Sequence, residues 1–231
     1  MIKIIKVIYE IIIFKMRNYF TLENGGERVD IKYDNIKKYS NFNIYQKSHY
    51  KRYEFANKNI FAGDIVGDMA CGTGYGSVLI SEKAKEVVAV DIDKKLIDKI
   101  KKRYKHVNNT KFICMNLLDL KYNNYFDKII SFETIEHFEE SQILNVLSNF
   151  HNSMKQGGML IFSVPYMQKN DYVARKMGFH KTFLIDENKI KKWLFKTKLE
   201  LVSINYQNYQ DHQIIDEIEK KDFIIITCKK N

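Results

Sequence analysis

Three glycines at alternating positions follow a short apolar run in the segment IVGDMACGTGYGS, residues 65 to 77. A strand that ends in a glycine-rich turn and leads into a helix brings bare backbone close to a nucleotide. A dinucleotide fingerprint places its third glycine three positions after the second, whereas Gly76 follows Gly74 by two. The spacing therefore argues against NAD and for another nucleotide-containing ligand, with the carboxylate of Asp68 close to it.

Ionisable side chains concentrate in a second segment, FDKIISFETIEHF, residues 126 to 138. Ligands of parallel sheets bind beyond the carboxyl ends of the strands, so Glu133, Glu136 and His137 are expected at the substrate side. Positions i, i+3 and i+4 share one face of a helical turn, which predicts that these three side chains converge. We predict catalytic roles for them, with His137 as general base or substrate-orienting residue. The alternative is that the glutamate caps the turn and His137 packs behind the site.

Apolar, β-branched runs alternate with helical spacing from Asp64 onward. This alternation predicts an α/β fold with a parallel sheet covered by helices on both faces. Two closing strands, Glu200–Tyr206 and Asp222–Lys229, are joined without a clear crossover helix, which suits an antiparallel edge strand. We predict an N-terminal segment and lid over residues 1–44, in which residues 17–44 form a lid or N-terminal helical cap. A helix is predicted from Ile44 to Asn59, and one domain over residues 45–231.

The pattern D-x-A-C-G-x-G-x-G, which begins at Asp68, resembles motif I of the class I S-adenosylmethionine (SAM) methyltransferases. The resemblance implies a Rossmann-like, seven-stranded methyltransferase sheet with an antiparallel edge strand and an enzyme that uses SAM. It also implies that Asp68, Gly72 and Gly74 contact the cofactor.

Further cofactor-binding positions lie at the ends of the next strands. Asp91 ends the run VVAVD and is placed to accept hydrogen bonds from both ribose hydroxyls, although an N-cap of the following helix would explain it too. The resemblance implies that the side chain of Asn116 holds the adenine amino group and the backbone of Leu117 a ring nitrogen. Ile92 and Phe132 complete the predicted set.

Two segments resemble methyltransferases of surface-glycan and sugar-modification pathways. In HYKRYEFA (His49 to Ala56), the resemblance implies that Arg52 faces the cofactor carboxylate, and an exposed helical arginine is the alternative. GFHKTF (Gly178 to Phe183) resembles an N-P-F-H stretch of the same group, from which this chain departs at Tyr166. We expect O-methylation of a sugar, nucleotide-activated or phosphorylated cell-surface glycan precursor, with acceptor specificity in Pro165–His180.

The pattern E-x-x-E-H resembles metal-dependent O-methyltransferases of ubiquinone biosynthesis and of small-RNA 3′ ends. That resemblance implies a divalent metal held by Glu133, Glu136, His137 and His180, a donor set that suits Mn²⁺ or Fe²⁺ better than Mg²⁺. A metal-free role for His137 is preferred. A metal-dependent RNA 2′-O-methyltransferase and a non-catalytic SAM-binding partner subunit are the alternative functions.

Composition limits the remaining choices. The net charge of +10 suits a polyanion, but the lysines are spread along the chain, so nucleic acid is not favoured. Arg28, Lys51 and Arg175 are candidates for holding a phosphorylated acceptor. Three separated cysteines predict reduced, buried thiols in a cytoplasmic protein.

Residues 1–15 are apolar but repeatedly interrupted by charge, so neither a signal peptide nor a membrane span is expected. An amphipathic helix that lies on the domain, the same helix on a membrane surface, and translation from Met16 are the three alternatives for this segment. The oligomeric state stays open.

Overall fold

The computed structural model describes residues 28–32, 38–170, 178 and 180–231. Most of the predicted lid, the predicted surface segment 1–15 and Arg175 lie outside the described residues.

Eight strands form one sheet in the described part of the chain, in the order β3-β2-β1-β4-β5-β8-β6-β7. The strands are β1 (Ile65–Met69), β2 (Glu86–Asp91), β3 (Thr110–Cys114), β4 (Phe126–Phe132), β5 (Met154–Pro165), β6 (Leu199–Gln207), β7 (Ile214–Ile215) and β8 (Phe223–Lys230). Strands β1 to β5 are mutually parallel, and β8 runs antiparallel to both β5 and β6. The predicted Rossmann-like sheet is confirmed. Its long antiparallel strand lies inside the sheet, and the two-residue β7 is the antiparallel edge strand that raises the count to eight.

Helices cover both faces of this sheet. They are α1 (Ile44–Asn57), α2 (Tyr75–Ser81), α3 (Lys94–Arg103), α4 (Glu140–Ser153) and α5 (Glu187–Lys196). Helix α1 begins at a capping box in which the Asn43 side chain accepts from the Gln46 backbone and the Gln46 side chain accepts from the Asn43 backbone. The helix predicted from Ile44 is therefore present, and it ends two residues earlier than predicted.

Apolar side chains fill the space on both sides of the sheet. Helices α4 and α5 contribute Phe150 and Trp193 to one cluster, and α1 and α2 contribute Tyr53 and Ile80 to another. Strand β1 is buried on both faces because its alternate residues enter opposite clusters, as expected for a central parallel strand. Packing on both faces holds the sheet in place, and the polar residues of the site lie at its carboxyl edge.

The cysteine prediction was correct at two of three positions. Cys71 and Cys228 are buried and free, and burial raises the pKa of both thiols. Cys114 is free but exposed, because it ends the sheet-edge strand β3. Within the described residues, no helix combines the length and the apolar character that crossing a membrane requires.

Candidate functional site

The glycine-rich loop joins β1 to α2 at the carboxyl edge of the sheet. Gly72 and Gly74 have φ of 54° and 77°, a region that L side chains rarely adopt. A Cβ on Gly74 would lie 2.9 Å from the Phe112 ring, and a Cβ on Gly76 only 2.0 Å from the Tyr53 ring. The missing Cβ of Gly74 thus makes room for protein packing, and the contact of its backbone with the cofactor stays a prediction. Gly72 remains the glycine with open space beside it.

Asp91 ends β2 beside this loop and is 6% exposed. Its Oδ2 accepts a hydrogen bond from the Gly72 N–H at 3.0 Å, and its Oδ1 accepts one from the Asp93 N–H at 3.0 Å. The N-cap of α3 is Asp93, whose side chain accepts from the Leu96 N–H. The capping alternative for Asp91 is thus excluded, which leaves its carboxylate as a fixed acceptor at the mouth of the loop.

A short stretch of chain before α1, residues 28–31, lies across the glycine-rich loop; we call it the strap. Arg28 pairs with Asp91 at 3.2 Å and with Asp93 at 3.1 Å. The Val29 carbonyl accepts from the Thr73 hydroxyl at 2.9 Å, and Ile31 is buried. Arg28 is one of the candidates for holding a phosphorylated acceptor, and the structure places it against Asp91, the carboxylate predicted to bind the ribose.

The predicted adenine side of the site follows β2 and β3. Ile92 is 67% exposed directly after Asp91, so its side chain offers an open apolar face. Asn116 lies at the end of β3, and its side-chain oxygen accepts from the Leu118 N–H at 3.0 Å, which caps a 3₁₀ turn. Because the Leu117 side chain is buried in the core, its backbone is the part that can meet a ligand.

Asp68 lies beneath the glycine-rich loop and is 1% exposed. It accepts hydrogen bonds from the Ser77 hydroxyl at 2.5 Å and the Tyr53 hydroxyl at 3.1 Å. Burial raises the pKa of Asp68 to about 6, against the opposing effect of these two hydrogen bonds. A bound ammonium group would favour the charged carboxylate. Sequence reasoning missed the Ser77 contact, although the residue stands one position after Gly76.

Arg52 projects from α1 into the interior and is 2% exposed. Its Nε donates to Gln207 at 2.9 Å, its guanidinium carbon lies 4.0 Å from the Phe223 ring centre, and its Nη1 is 3.3 Å from Glu133 Oε1. Among the described residues, the buried Nη1 makes no hydrogen bond. Because Arg52 is buried, the alternative of an exposed helical arginine is excluded. A buried guanidinium N–H that makes no hydrogen bond suits a carboxylate ligand.

Phe132 ends β4 and packs edge-on against Tyr53, with ring centres 5.1 Å apart. Its side chain is 4% exposed, so it forms the floor of the site. Glu133 follows with φ of 50° and precedes a 3₁₀ turn from Ile135 to His137.

Glu133 does not join the predicted cluster with Glu136 and His137. Its left-handed backbone turns the side chain toward Arg52 and toward the Ser163 hydroxyl, which donates to Glu133 at 2.7 Å. The predicted i, i+3 neighbourhood of Glu133 and Glu136 does not form, because Glu133 lies outside the helical turn. This corrects the prediction that Glu133 shares a metal or catalytic cluster with them.

Glu136, His137 and His180 do converge, with one ligand-type atom from each within 4.8 Å of the others. His180 Nε2 is 3.9 Å from Glu136 Oε1, and the two imidazole rings meet edge to face at 5.0 Å. The Glu136 carbonyl accepts from the Lys181 and Thr182 N–H groups at 2.8 and 3.1 Å, which ties the distant segment to the turn. Gln168 contacts His180 Nδ1 and was not predicted.

A cavity of about 290 Å³ opens beside this group at the ends of β4, β5 and β8. Its lining consists of Glu133, Pro165, Tyr166, Gln168, His180, Tyr209, Lys221, Asp222 and Phe223. Lys51, another candidate for holding a phosphorylated acceptor, pairs with Glu54 and does not line the cavity. The lysine in the cavity is Lys221, for which the sequence carried no signal because it lies in an unpatterned loop before β8.

Known proteins share this arrangement of loop and sheet. Residues 66–158 match the family model of a methyltransferase domain. A SAM-dependent methyltransferase structure from Clostridium acetobutylicum ATCC 824 aligns over 86% of this chain and 96% of its own, with a TM-score of 0.62 and 16% identity. The fold is that of the SAM-dependent methyltransferases. The N-methyltransferase NodS from Bradyrhizobium japonicum WM9, solved with S-adenosylhomocysteine, covers 87% of this chain at a TM-score of 0.61 and 16% identity.

The curated relatives match a smaller part of this chain than the solved structures do. A probable SAM-dependent methyltransferase of Mycolicibacterium smegmatis is 29% identical over 106 residues, which is 45% of this chain and 39% of that protein. A malonyl-[acyl-carrier protein] O-methyltransferase of Acetivibrio thermocellus is 28% identical over 98 residues, 42% of this chain and 34% of the relative. The chain thus spans well under half the length of these relatives. Together the comparisons show a match to a methyltransferase domain over residues 66–158 and the methyltransferase fold over most of the chain.

Proposed function

We propose that this chain is a SAM-dependent methyltransferase that methylates a hydroxyl of a sugar, nucleotide-activated or phosphorylated cell-surface glycan precursor. The observation that carries the proposal is the position of Glu133. This carboxylate pairs with Arg52, the proposed holder of the cofactor carboxylate, and also lines the cavity. Donor and acceptor regions therefore share one wall, as an in-line methyl transfer requires.

The cavity suits a hydroxyl-rich acceptor of the size of one sugar ring. Its volume of about 290 Å³ lies near the lower end of the range for small-ligand sites, about 300–1,000 Å³. Gln168 and Asp222 offer polar oxygens that accept from hydroxyls, and Tyr166 and Tyr209 offer flat apolar faces. Lys221 supplies the positive charge that a phosphorylated precursor needs.

SAM would supply an activated methyl group whose transfer needs chiefly alignment and exclusion of water, which together contribute about 7–11 kcal/mol. Arg52 would hold the cofactor carboxylate, Asp68 lies where its ammonium group is expected, and Asp91 would accept from the ribose. His137 would take the proton that the acceptor hydroxyl loses, an effect of roughly 10²–10⁴-fold on the rate. The reduced thiols are consistent with the cytoplasmic location that we propose.

Calorimetry tests the cofactor. We expect heat from SAM and S-adenosylhomocysteine and none from NAD. Heat from NAD alone would defeat the proposal.

Transfer of radiolabel from SAM to glycan fractions tests the reaction. We expect labelling that falls at least a hundredfold in His137→Ala and stays unchanged in His151→Ala, a histidine on α4 away from the cavity. Label that appears only in quinone, protein or RNA would refute the glycan acceptor, and no label in any fraction would favour the non-catalytic subunit.

A second candidate function is a metal-dependent RNA 2′-O-methyltransferase, favoured by the group of Glu136, His137 and His180. Two atoms that bind one ion with bonds of about 2.1 Å lie about 3–4 Å apart, and the 3.9 Å between His180 Nε2 and Glu136 Oε1 falls in that range. These three residues would hold the ion, which would lower the pKa of the acceptor hydroxyl. Calorimetric titration with Mn²⁺ tests binding, and heat that persists in His180→Ala would exclude this site.

A further inference from the structure

Gln207, the last residue of β6, has a fully buried side-chain amide. Its Oε1 accepts hydrogen bonds from the Arg52 Nε–H and from the Ser48 hydroxyl, both at 2.9 Å. Its Nε2 donates to the backbone carbonyls of Ser48 and His212 at 3.0 and 2.9 Å. The two ends of the amide therefore meet different requirements, an acceptor toward the guanidinium and a donor toward two carbonyls.

A neutral amide meets both requirements, and a carboxylate does not. A glutamate at this position would place an acceptor against the Ser48 and His212 carbonyls and a buried negative charge beside Arg52. A leucine would leave the buried Nε–H of Arg52 without its acceptor. Gln207 thus bonds the guanidinium without neutralising its positive charge.

Strand pairing provides a second contact with the same guanidinium. Gln207 is paired with Phe223 of β8 in the antiparallel ladder, so their side chains lie side by side on one face of the sheet. The Phe223 ring covers the guanidinium of Arg52, whose central carbon is 4.0 Å from the ring centre. On its other side Gln207 pairs with Ile214 of β7, and the turn before β7 supplies the His212 carbonyl. The guanidinium is thereby held at its Nε edge and over one flat face.

One nitrogen of the guanidinium stays available for a ligand. Nη2 of Arg52 donates to the Ser48 hydroxyl at 3.2 Å, and Nε donates to Gln207. Among the described residues, the buried Nη1 makes no hydrogen bond, although Glu133 Oε1 is 3.3 Å away. Because Glu133 also lines the cavity, Nη1 is the nitrogen that a ligand carboxylate can meet.

We propose that Gln207 is a positioning residue for cofactor binding, which holds Arg52 in the orientation that presents Nη1 to the cofactor carboxylate. This inference rests on the proposed function, in which Arg52 binds that carboxylate. A long side chain loses conformational freedom when it is immobilised by a ligand, and a contact that is already made at Nε removes part of this cost before the ligand arrives. Because its own side chain is buried, Gln207 acts through Arg52.

Calorimetric titration of the full chain with two ligands tests the proposal: S-adenosylhomocysteine, and decarboxylated S-adenosylhomocysteine, which lacks the carboxylate. Gln207→Leu should weaken binding of the first ligand about tenfold and leave binding of the second nearly unchanged. Asn109→Leu is the matched control, because Asn109 is a partly buried amide that donates to the carbonyls of Ser81 and Ala84 at the amino edge of the sheet. It should lower the melting temperature without changing either affinity.

Ser48→Ala is a milder variant that serves if Gln207→Leu does not fold. It removes the hydroxyl that contacts both Gln207 and Nη2 of Arg52, and it should weaken binding of S-adenosylhomocysteine about threefold, again without an effect on the decarboxylated ligand. Equal losses for the two ligands, or no loss for S-adenosylhomocysteine, would overturn the inference and leave Gln207 with a purely structural role. A wild-type chain that does not bind S-adenosylhomocysteine would refute the proposed function, and this inference with it.

Discussion

Arg28→Ala is expected to tighten cofactor binding, because Arg28 occupies Asp91, the carboxylate that we propose for the ribose. An ionised carboxylate has about four lone-pair sites. Asp91 uses three of them, on the N–H groups of Gly72 and Asp93 and on the Arg28 guanidinium. Two ribose hydroxyls require two sites and one is open, so Arg28 must leave Asp91 before both hydroxyls are bound.

The size of the effect follows from the free energy of the ion pair that Arg28 makes with Asp91. Its contact with Asp91 joins a 25% exposed side chain to a 6% exposed one, and partly exposed pairs of this kind contribute about 0–1 kcal/mol. The neighbouring pair between Arg28 and Asp93 at 3.1 Å can persist when Asp91 is released. Removal of the competitor should therefore strengthen binding by about 1 kcal/mol, or roughly fivefold.

Isothermal titration with S-adenosylhomocysteine measures this difference directly. The gap between wild type and Arg28→Ala should narrow as salt is raised, because salt screens the competing ion pair. Arg103→Ala is the control, since it breaks the pair with Asp30 at the other side of the strap without touching Asp91. We expect little change in affinity from it.

Two results would refute the reasoning. Weaker binding by Arg28→Ala would show that the strap holds the cofactor in place and does not compete with it. Equal tightening by Arg103→Ala would show that loosening the strap, and not release of Asp91, controls access.

Three further predictions concern the buried parts of the site. Gly76→Ala should lower the free energy of unfolding by about 1–3 kcal/mol or more, measured in urea, because the new Cβ would lie 2.0 Å from the Tyr53 ring; unchanged stability would contradict this packing. Because the pKa of Asp68 is raised from 3.8 to about 6, apo stability should fall by about 2 kcal/mol between pH 4 and pH 6, and Asp68→Asn should abolish that slope in pH-dependent urea titrations. Arg52→Lys should weaken binding of S-adenosylhomocysteine at least tenfold by calorimetry, because an ammonium group cannot keep the guanidinium's separate contacts; near-wild-type affinity would place the cofactor carboxylate elsewhere.

Much of the fold could be predicted from local pattern. β-branched runs separated by amphipathic helices define a parallel sheet, and the absence of a crossover helix before Phe223 requires the last strand to return antiparallel. The pattern did not reveal β7, because two residues are too short a run to register. It also placed the antiparallel strand at the edge, since strand order depends on tertiary contacts that no local period records.

The sequence is most informative about the site at residues whose type points to a single role. Asp91 after a strand and Arg52 on a helix are both buried, as a charged group that needs a partner or a ligand would be, and their contacts with the cofactor stay predictions. The packing of Phe112 against Gly74 was not predicted, since a glycine signals that a Cβ is excluded without saying which neighbour excludes it. Glu133 was misjudged because its φ of 50° breaks the helical spacing that the prediction assumed.

That one dihedral has a consequence for how the two halves of the site communicate. With helical backbone, Glu133 would face Glu136 and His137, and Arg52 would lack its carboxylate partner. In the observed conformation, Glu133 is bonded to Ser163 on one side and to Arg52 on the other. A ligand carboxylate that draws Arg52 away leaves Glu133 with Ser163 alone, so its charge becomes available to the cavity that it lines. Occupation of the cofactor side would thereby alter the electrostatics of the acceptor side through a single shared carboxylate, without movement of the sheet.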